Sequence, residues 1–321
     1  MRRKGQNTSP LYCLAVKMLE PATKATLALP TQEVYYRLYR FDDAPPRRLL
    51  LLHGGGMAGG ITWGNILPHL KHWNEILVPD LRGTGKTRHP DHKEHGFEAG
   101  EVVADLAALL DHLAWDKFDL GGYSYGGMIA MLLKAARPAA AEKTYLLEPA
   151  LPGKMNDEES IRSHELILHA AERLQNQEDA GEGLELFLDA VSPNRNRGSK
   201  NEEIIRKRLS RRPAGLARAI ECVSLAAKRL DRLSLIAAQA NVSNLIGSRS
   251  HPATYRLCQE IAAGRNDWIC HLIQGADHAL PFQKPEIIAE LMNADLALLF
   301  DNTEEENNPR MHAATKPRLL E

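Results

Sequence analysis

The chain has 321 residues, of which 44% are hydrophobic and 25% charged, and its formal net charge is -1. That composition suits a globular domain with ample core material, and the near-neutral balance gives no pull toward nucleic acid or an anionic surface. No apolar run reaches the roughly 18 residues a spanning helix needs, so no membrane span is predicted. Met1-Arg2-Arg3-Lys4 opens like a signal peptide. The apolar stretch that follows is interrupted by Lys17 and lacks a small-residue cleavage site, so secretion is not expected. Cys13, Cys222, Cys258 and Cys270 show no paired spacing, and neither a disulfide framework nor a metal set is expected of them. Cys270 reads as a small core residue, and a reducing, cytoplasmic setting is the expectation.

Residues 1–31 show no clear period and are read as a loose extension, with local helix around 11–19. Residues 34–41 alternate and are rich in β-formers, which predicts an antiparallel edge strand. Residues 48–52 are a continuous apolar run entering His53-Gly54-Gly55-Gly56, as a buried central strand would. A helix is predicted over 62–72, a strand over 75–80 and an amphipathic helix over 98–114. Residues 118–120 read as the start of a buried strand, 128–137 as a helix stopped by Pro138, and 143–148 as the next strand.

From 153 to 233 the alternation stops, and only helical segments appear, at 161–174, 183–191, 202–209 and 216–230. It resumes with strands at 242–246 and 268–273 and helices at 252–263 and 285–300; a disordered tail is expected over 301–321. The predicted fold class is α/β: a mostly parallel, doubly wound sheet over 32–152 and 234–300, with an all-helical cap inserted at 153–233.

Between strand and helix stands Gly122-Tyr123-Ser124-Tyr125-Gly126. A turn that sharp requires side chains to vanish on both sides, and it lifts the serine above the sheet. A serine hydroxyl is a poor nucleophile at neutral pH and needs a neighbouring base, which an acid in turn orients. His89, His92, His95 and His164 lie in polar segments and read as solvated surface. His278, in Gly275-Ala276-Asp277-His278, follows the last strand at the same sheet edge as Ser124 and is the candidate base.

The motifs His53-Gly54-Gly55-Gly56, Asp80-Leu81-Arg82-Gly83-Thr84-Gly85, the serine turn and Gly275-Ala276-Asp277-His278 with Pro281 resemble those of the α/β-hydrolase superfamily over residues 32–300. The resemblance implies a triad acid after the strand at 242–246, where this chain has Ser250. Asp277 adjoins His278 and is poorly placed to orient its neighbour's ring. Glu148, one strand over from Ser124, is the expected acid, and some members of the superfamily take their acid there. The resemblance also implies an oxyanion hole from the backbone N–H groups of Tyr125 and of Gly55 or Gly56, with the Tyr125 ring on the pocket wall. His53, Asp80 and Arg82 are expected to hold loops together.

Gly54-Gly55-Gly56 lacks the pattern of a dinucleotide site, and Gly83-Thr84-Gly85-Lys86-Thr87 lacks the first glycine of a phosphate loop. No His, Cys and Asp cluster has metal spacing, so neither cofactor nor metal is expected. Arg206-Lys207-Arg208 and Arg211-Arg212 read as a solvated basic face. The expected function is carboxylic ester hydrolysis of a small, largely apolar molecule. C–C, lactone, amide, peroxyacid or acyl-transfer chemistry stays open on the same residues, as does a binding protein with little turnover.

Overall fold

A computed structural model describes residues 19–151 and 158–306. Eight strands form one sheet: β1 (Thr23–Leu29), β2 (Gln32–Arg40), β3 (Arg48–Leu52), β4 (Glu75–Pro79), β5 (Phe118–Tyr123), β6 (Ala141–Leu147), β7 (Val242–Gly247) and β8 (Trp268–Ile273). Their spatial order is β1-β2-β4-β3-β5-β6-β7-β8. β1 and β2 pair antiparallel, as do β2 and β4, and every other pair is parallel.

The leucine run of β3 shows how the sheet is buried on both faces. Leu50 and Leu52 join Leu120, Leu146 and the helices Ala99–His112 and Tyr125–Ala136 in one apolar cluster. Leu49 and Leu51 point the other way, to Trp63, Trp73 and Ile288 and Met292 of the helix Pro285–Glu306. A period of two over a run with no polar residue thus makes two cores.

Several expectations are corrected. Residues 23–29, read as loose, form β1, so the strand expected at the edge lies one place inward. The helix expected over 62–72 is broken: Gly59–Thr62 is one helical turn and Leu67–His69 a 3-10 turn, because Gly64 and Pro68 interrupt the apolar spacing. Residues 301–306, read as disordered tail, continue the last helix; 307–321 and most of the helix expected at 11–19 lie outside the described residues. Cys258 and Cys270 form a disulfide between the helix Pro252–Ala263 and β8, twelve residues apart, against the expectation of unpaired thiols. Cys222 is a buried free thiol, which burial pushes up to about 12.

Between β6 and β7 lie the helices Glu158–Gln175, Ala180–Val191, Lys200–Leu209, Pro213–Arg229 and Arg232–Ala237. The last was not anticipated. The first four share an apolar cluster built on Ala171, Leu174, Leu184, Leu188, Leu209, Leu216 and Ile220, whereas Leu235 of the last packs with the sheet-side cluster. The helix Pro213–Arg229 has two apolar faces: Leu216 and Ile220 belong to that cluster, whereas Ala219, Cys222 and Ala226 pack on the sheet side. No helix of the described residues is long and apolar enough to cross a membrane.

Candidate active site

Ser124 stands between β5 and the helix Tyr125–Ala136 with φ 52 and ψ -120. That left-handed backbone costs on the order of 1–3 kcal/mol for a residue with a side chain. The turn is fixed from both sides: Ser124 N–H donates to the Leu147 carbonyl at 2.9 Å, and its own carbonyl accepts from Ala150 N–H at 2.9 Å. The glycines are required. A Cβ on Gly122 would stand 2.5 Å from the Gly126 carbonyl oxygen, and one on Gly126 would strike the backbone of Leu52 and His53.

The structure brings Ser124, His278 and Glu148 together. His278 Nε2 lies 3.1 Å from Ser124 Oγ, and its Nδ1 lies 2.7 Å from Glu148 Oε2. Tyr123 steadies the loop from beneath, its hydroxyl donating to the His278 carbonyl at 2.9 Å and its ring centroid 5.3 Å from the imidazole. Burial, then the charges of Glu148 and Asp277, hold that phenol well above its ordinary value, so it stays a donor.

Glu148 follows β6 with φ 42 and is 4% exposed. Its Oε1 accepts from Gly247 N–H at 2.7 Å and from the Ser250 hydroxyl, which leaves Oε2 for the ring. Ser250, at the position where the resemblance implies an acid, therefore meets the acid from the neighbouring strand. Its role was not anticipated, and its place in the loop after β7 was the signal. Asp277 is fully buried and otherwise engaged: it accepts from Ala279 N–H and from Gln283 Nε2, each at 2.9 Å.

The glycine loop runs beside the serine. A Cβ on Gly54 would lie 3.4 Å from Ser124 Cβ, and one on Gly55 would lie 3.9 Å from Tyr125 Cβ. The Tyr125 ring, expected on the pocket wall, is 2% exposed and packs in the core beneath the serine helix. Helix geometry sends it down, away from the cavity. His53 is neutral and structural: Leu81 N–H donates to its Nε2 and its Nδ1 donates to the Gly54 carbonyl, both at 2.7 Å. Asp80 accepts from Arg37, Gly59 N–H and Lys86 N–H, and Arg82 donates to Asp105 and Glu101.

A cavity of about 520 Å³ opens at Ser124, Glu148 and His278, with walls from the helical insertion (Ile167, Val223) and from the helix Pro252–Ala263. His164, read as surface, lines it. Arg212, read as part of a solvated basic face, donates to Glu94 and to the Thr87 carbonyl at 2.8 Å, tying the insertion to the core. Outside the cavity lining, His89, Asp91 and His95 offer donor atoms within 4.8 Å of one another, against the expectation of no metal spacing. The loop folds back because the Asp91 carboxylate bonds both rings, at 2.7 and 2.8 Å.

The sequence profile of the alpha/beta hydrolase family matches residues 49–291, and the chain belongs to that family. Among similar proteins, the soluble epoxide hydrolase of a Corynebacterium species is 29% identical over 118 residues, covering 37% of this chain and 40% of that one. Lipase LipV of Mycobacterium tuberculosis is 38% identical over 112 residues, covering 35% and 41%. The chain thus spans well under half the length of these relatives. A thermophilic esterase from Thermogutta terrifontis shares the fold, with a TM-score of 0.69 at 23% identity over 86% of this chain and 98% of that one.

Proposed function

We propose that this chain is a serine hydrolase that cleaves carboxylic esters of small to medium substrates through an acyl-enzyme. The observation that carries this reading is the unbroken relay from Ser124 Oγ through the His278 ring to a buried, doubly anchored Glu148. An imidazole that donates its Nδ1–H to Glu148 offers the Nε2 lone pair to the serine hydroxyl. As Ser124 Oγ bonds to the carbonyl carbon, its proton passes to Nε2, and Glu148 stabilises the imidazolium. The tetrahedral adduct then expels the alcohol, which takes that proton. Water repeats the sequence on the acyl-serine: its proton goes to Nε2 and returns to Oγ as the acid leaves.

The developing oxyanion would be met by the N–H of Tyr125, unpaired in the first turn of its helix, and by that of Gly55 or Gly56. One such donor is worth about 3 kcal/mol in the transition state. The helical insertion is read as a cap over this site.

The epoxide hydrolase likeness raises ring opening as a rival. A serine that opened an epoxide would be left as an ether, which this relay has no means to hydrolyse. A serine acylated by a carbonyl compound is left as an ester, which it can. The likeness to a lipase supports oxygen esters. The test is a series of p-nitrophenyl esters of rising chain length, with Ser124→Ala alongside. The expected result is turnover with a chain-length optimum, lost on the order of 10⁵-fold in the variant. Intact protein that turns over no ester and forms no fluorophosphonate adduct would sink the reading.

A further inference from the structure

The cavity that opens at Ser124 also contains a polar set that the relay does not use. Asn244 lies in the middle of β7, 3% exposed, and its amide oxygen Oδ1 makes no hydrogen bond among the described residues. Strand alternation puts it on one face with Val242 and Ile246, while Ser243 points to the opposite face and bonds Asp295. Asn244 and Ile246 both line the cavity. So does Ser224, 4% exposed on the helix Pro213–Arg229, and so does His164, whose shielded Nε2 also makes no hydrogen bond.

The depth of Asn244 follows from the strand. Asn244 precedes Gly247, whose N–H holds Glu148, by three residues. At about 3.3 Å per residue it lies roughly 10 Å below the acid. The lining also includes the apolar Val223, Ala227 and Ile261. An amide oxygen buried without a donor carries an uncompensated desolvation cost, which a donor brought by a ligand would relieve. The set is also uncharged. Among the described lining residues the one lysine or arginine is Arg256, and it is exposed, so a buried carboxylate would find no counter-charge. A hydroxyl, which both donates and accepts, matches an amide, a serine and a neutral imidazole.

We propose that this cavity selects substrates whose buried arm carries a hydroxyl at its far end, donated to Asn244 Oδ1 and flanked by Ser224 and His164. The inference rests on the ester-hydrolase reading and names the substrate class of that site: hydroxylated medium-chain esters rather than plain alkyl ones.

The test compares kcat/KM for paired esters with and without a terminal hydroxyl. One series places it on the acyl arm (p-nitrophenyl hexanoate to decanoate), the other on the alcohol arm (acetates of diols against those of simple alcohols). The expected result is a preference for the hydroxylated member of roughly 10- to 100-fold in one series. That ratio should fall toward unity in Asn244→Leu and be reduced in Ser224→Ala, whose site on a helix surface spares the sheet. Equal rates within every pair, or a preference that survives both substitutions, would overturn the proposal while leaving ester hydrolysis intact. If no ester is turned over, the ester reading fails instead. The polar floor is then judged by calorimetry with the free hydroxy acids and diols against their plain counterparts, and equal affinity would overturn it.

Discussion

Within the sheet, Leu49 to Leu52 send alternate side chains into two cores, and all four are fully buried. Within the helical insertion, a thinner apolar cluster is flanked by an ionic knot, in which the buried Arg195 pairs with the buried Glu202 at 2.9 Å and with the more exposed Glu185, at 3.4 Å, and Asp189. The two regions meet through Ala219, Cys222, Ala226 and Leu235, which join the sheet-side apolar cluster, through Arg212 on Glu94, and where Gly83 closely approaches Gly215. The contrast separates two tasks. The sheet holds Ser124, Glu148 and His278 at the ends of three strands, where a small displacement would break the relay. The insertion supplies walls of the cavity beside them, and part of its anchorage to the core is a local polar tie through Arg212.

Glycine substitution should break that comparison most sharply. Gly126→Ala drives a Cβ into the backbone of Leu52 and His53, with no flexible side chain to yield. A loss of roughly 3 kcal/mol is expected in denaturant unfolding, with activity gone. Arg212→Ala comes next. It strips Glu94 of its partner and leaves the Thr87 carbonyl without its donor, for an expected loss of about 2 kcal/mol. Limited proteolysis should find the insertion opened before the sheet; simultaneous loss of both would merge the two regions into one cooperative unit.

The pH dependence of stability has a definite sign at His53. Burial pushes this imidazole below its ordinary value of 6.5, further than the Asp80 charge and the Gly54 carbonyl pull it up. The unfolded chain therefore takes up a proton as pH falls through 6.5, whereas the folded chain does not until lower pH. Stability contributed by the neutral ring is present above 6.5 and lost below it, by at most about 1.4 kcal/mol per pH unit. His53→Gln should flatten that part of the melting profile; an unchanged slope would assign it to another group. The smallest effect is expected in the insertion: Gly181→Ala faces open space and should gain up to about 0.5 kcal/mol.

The legibility of the fold follows the same division. β3 and β8 announce themselves as short, largely apolar runs bounded by turns, the start of β5 is partly apolar, and the five-residue serine turn is tied to its geometry by the two glycines. Glu148 could be read from its place at the end of the neighbouring strand, because parallel strands bring their C-terminal ends to one edge. β1 was missed although Ala25, Leu27 and Leu29 alternate with the exposed Lys24, Thr26 and Ala28, because the pattern is short and none of its residues is fully buried. The segment 62–72 was misread because Trp63, Ile66, Leu67 and Leu70 keep helical spacing across Pro68, though they pack as a turn. The disulfide joins a helix to a strand, a pairing that spacing cannot show. Asn244 was illegible as a site residue, an ordinary polar residue until the fold sets it within the cavity, whereas Ser250 was signalled only by its place in the loop after β7.

The central claim is that Glu148, and not the adjacent Asp277, activates the serine through His278. The direct measurement is the rate of fluorophosphonate labelling at Ser124, read by intact mass, in wild type, Glu148→Gln and Asp277→Asn. Labelling in Glu148→Gln should slow by roughly 10³-fold or more, because the ring loses its orienting charge, and in Asp277→Asn by less than about 10-fold. Labelling that survives Glu148→Gln and collapses in Asp277→Asn would contradict the account.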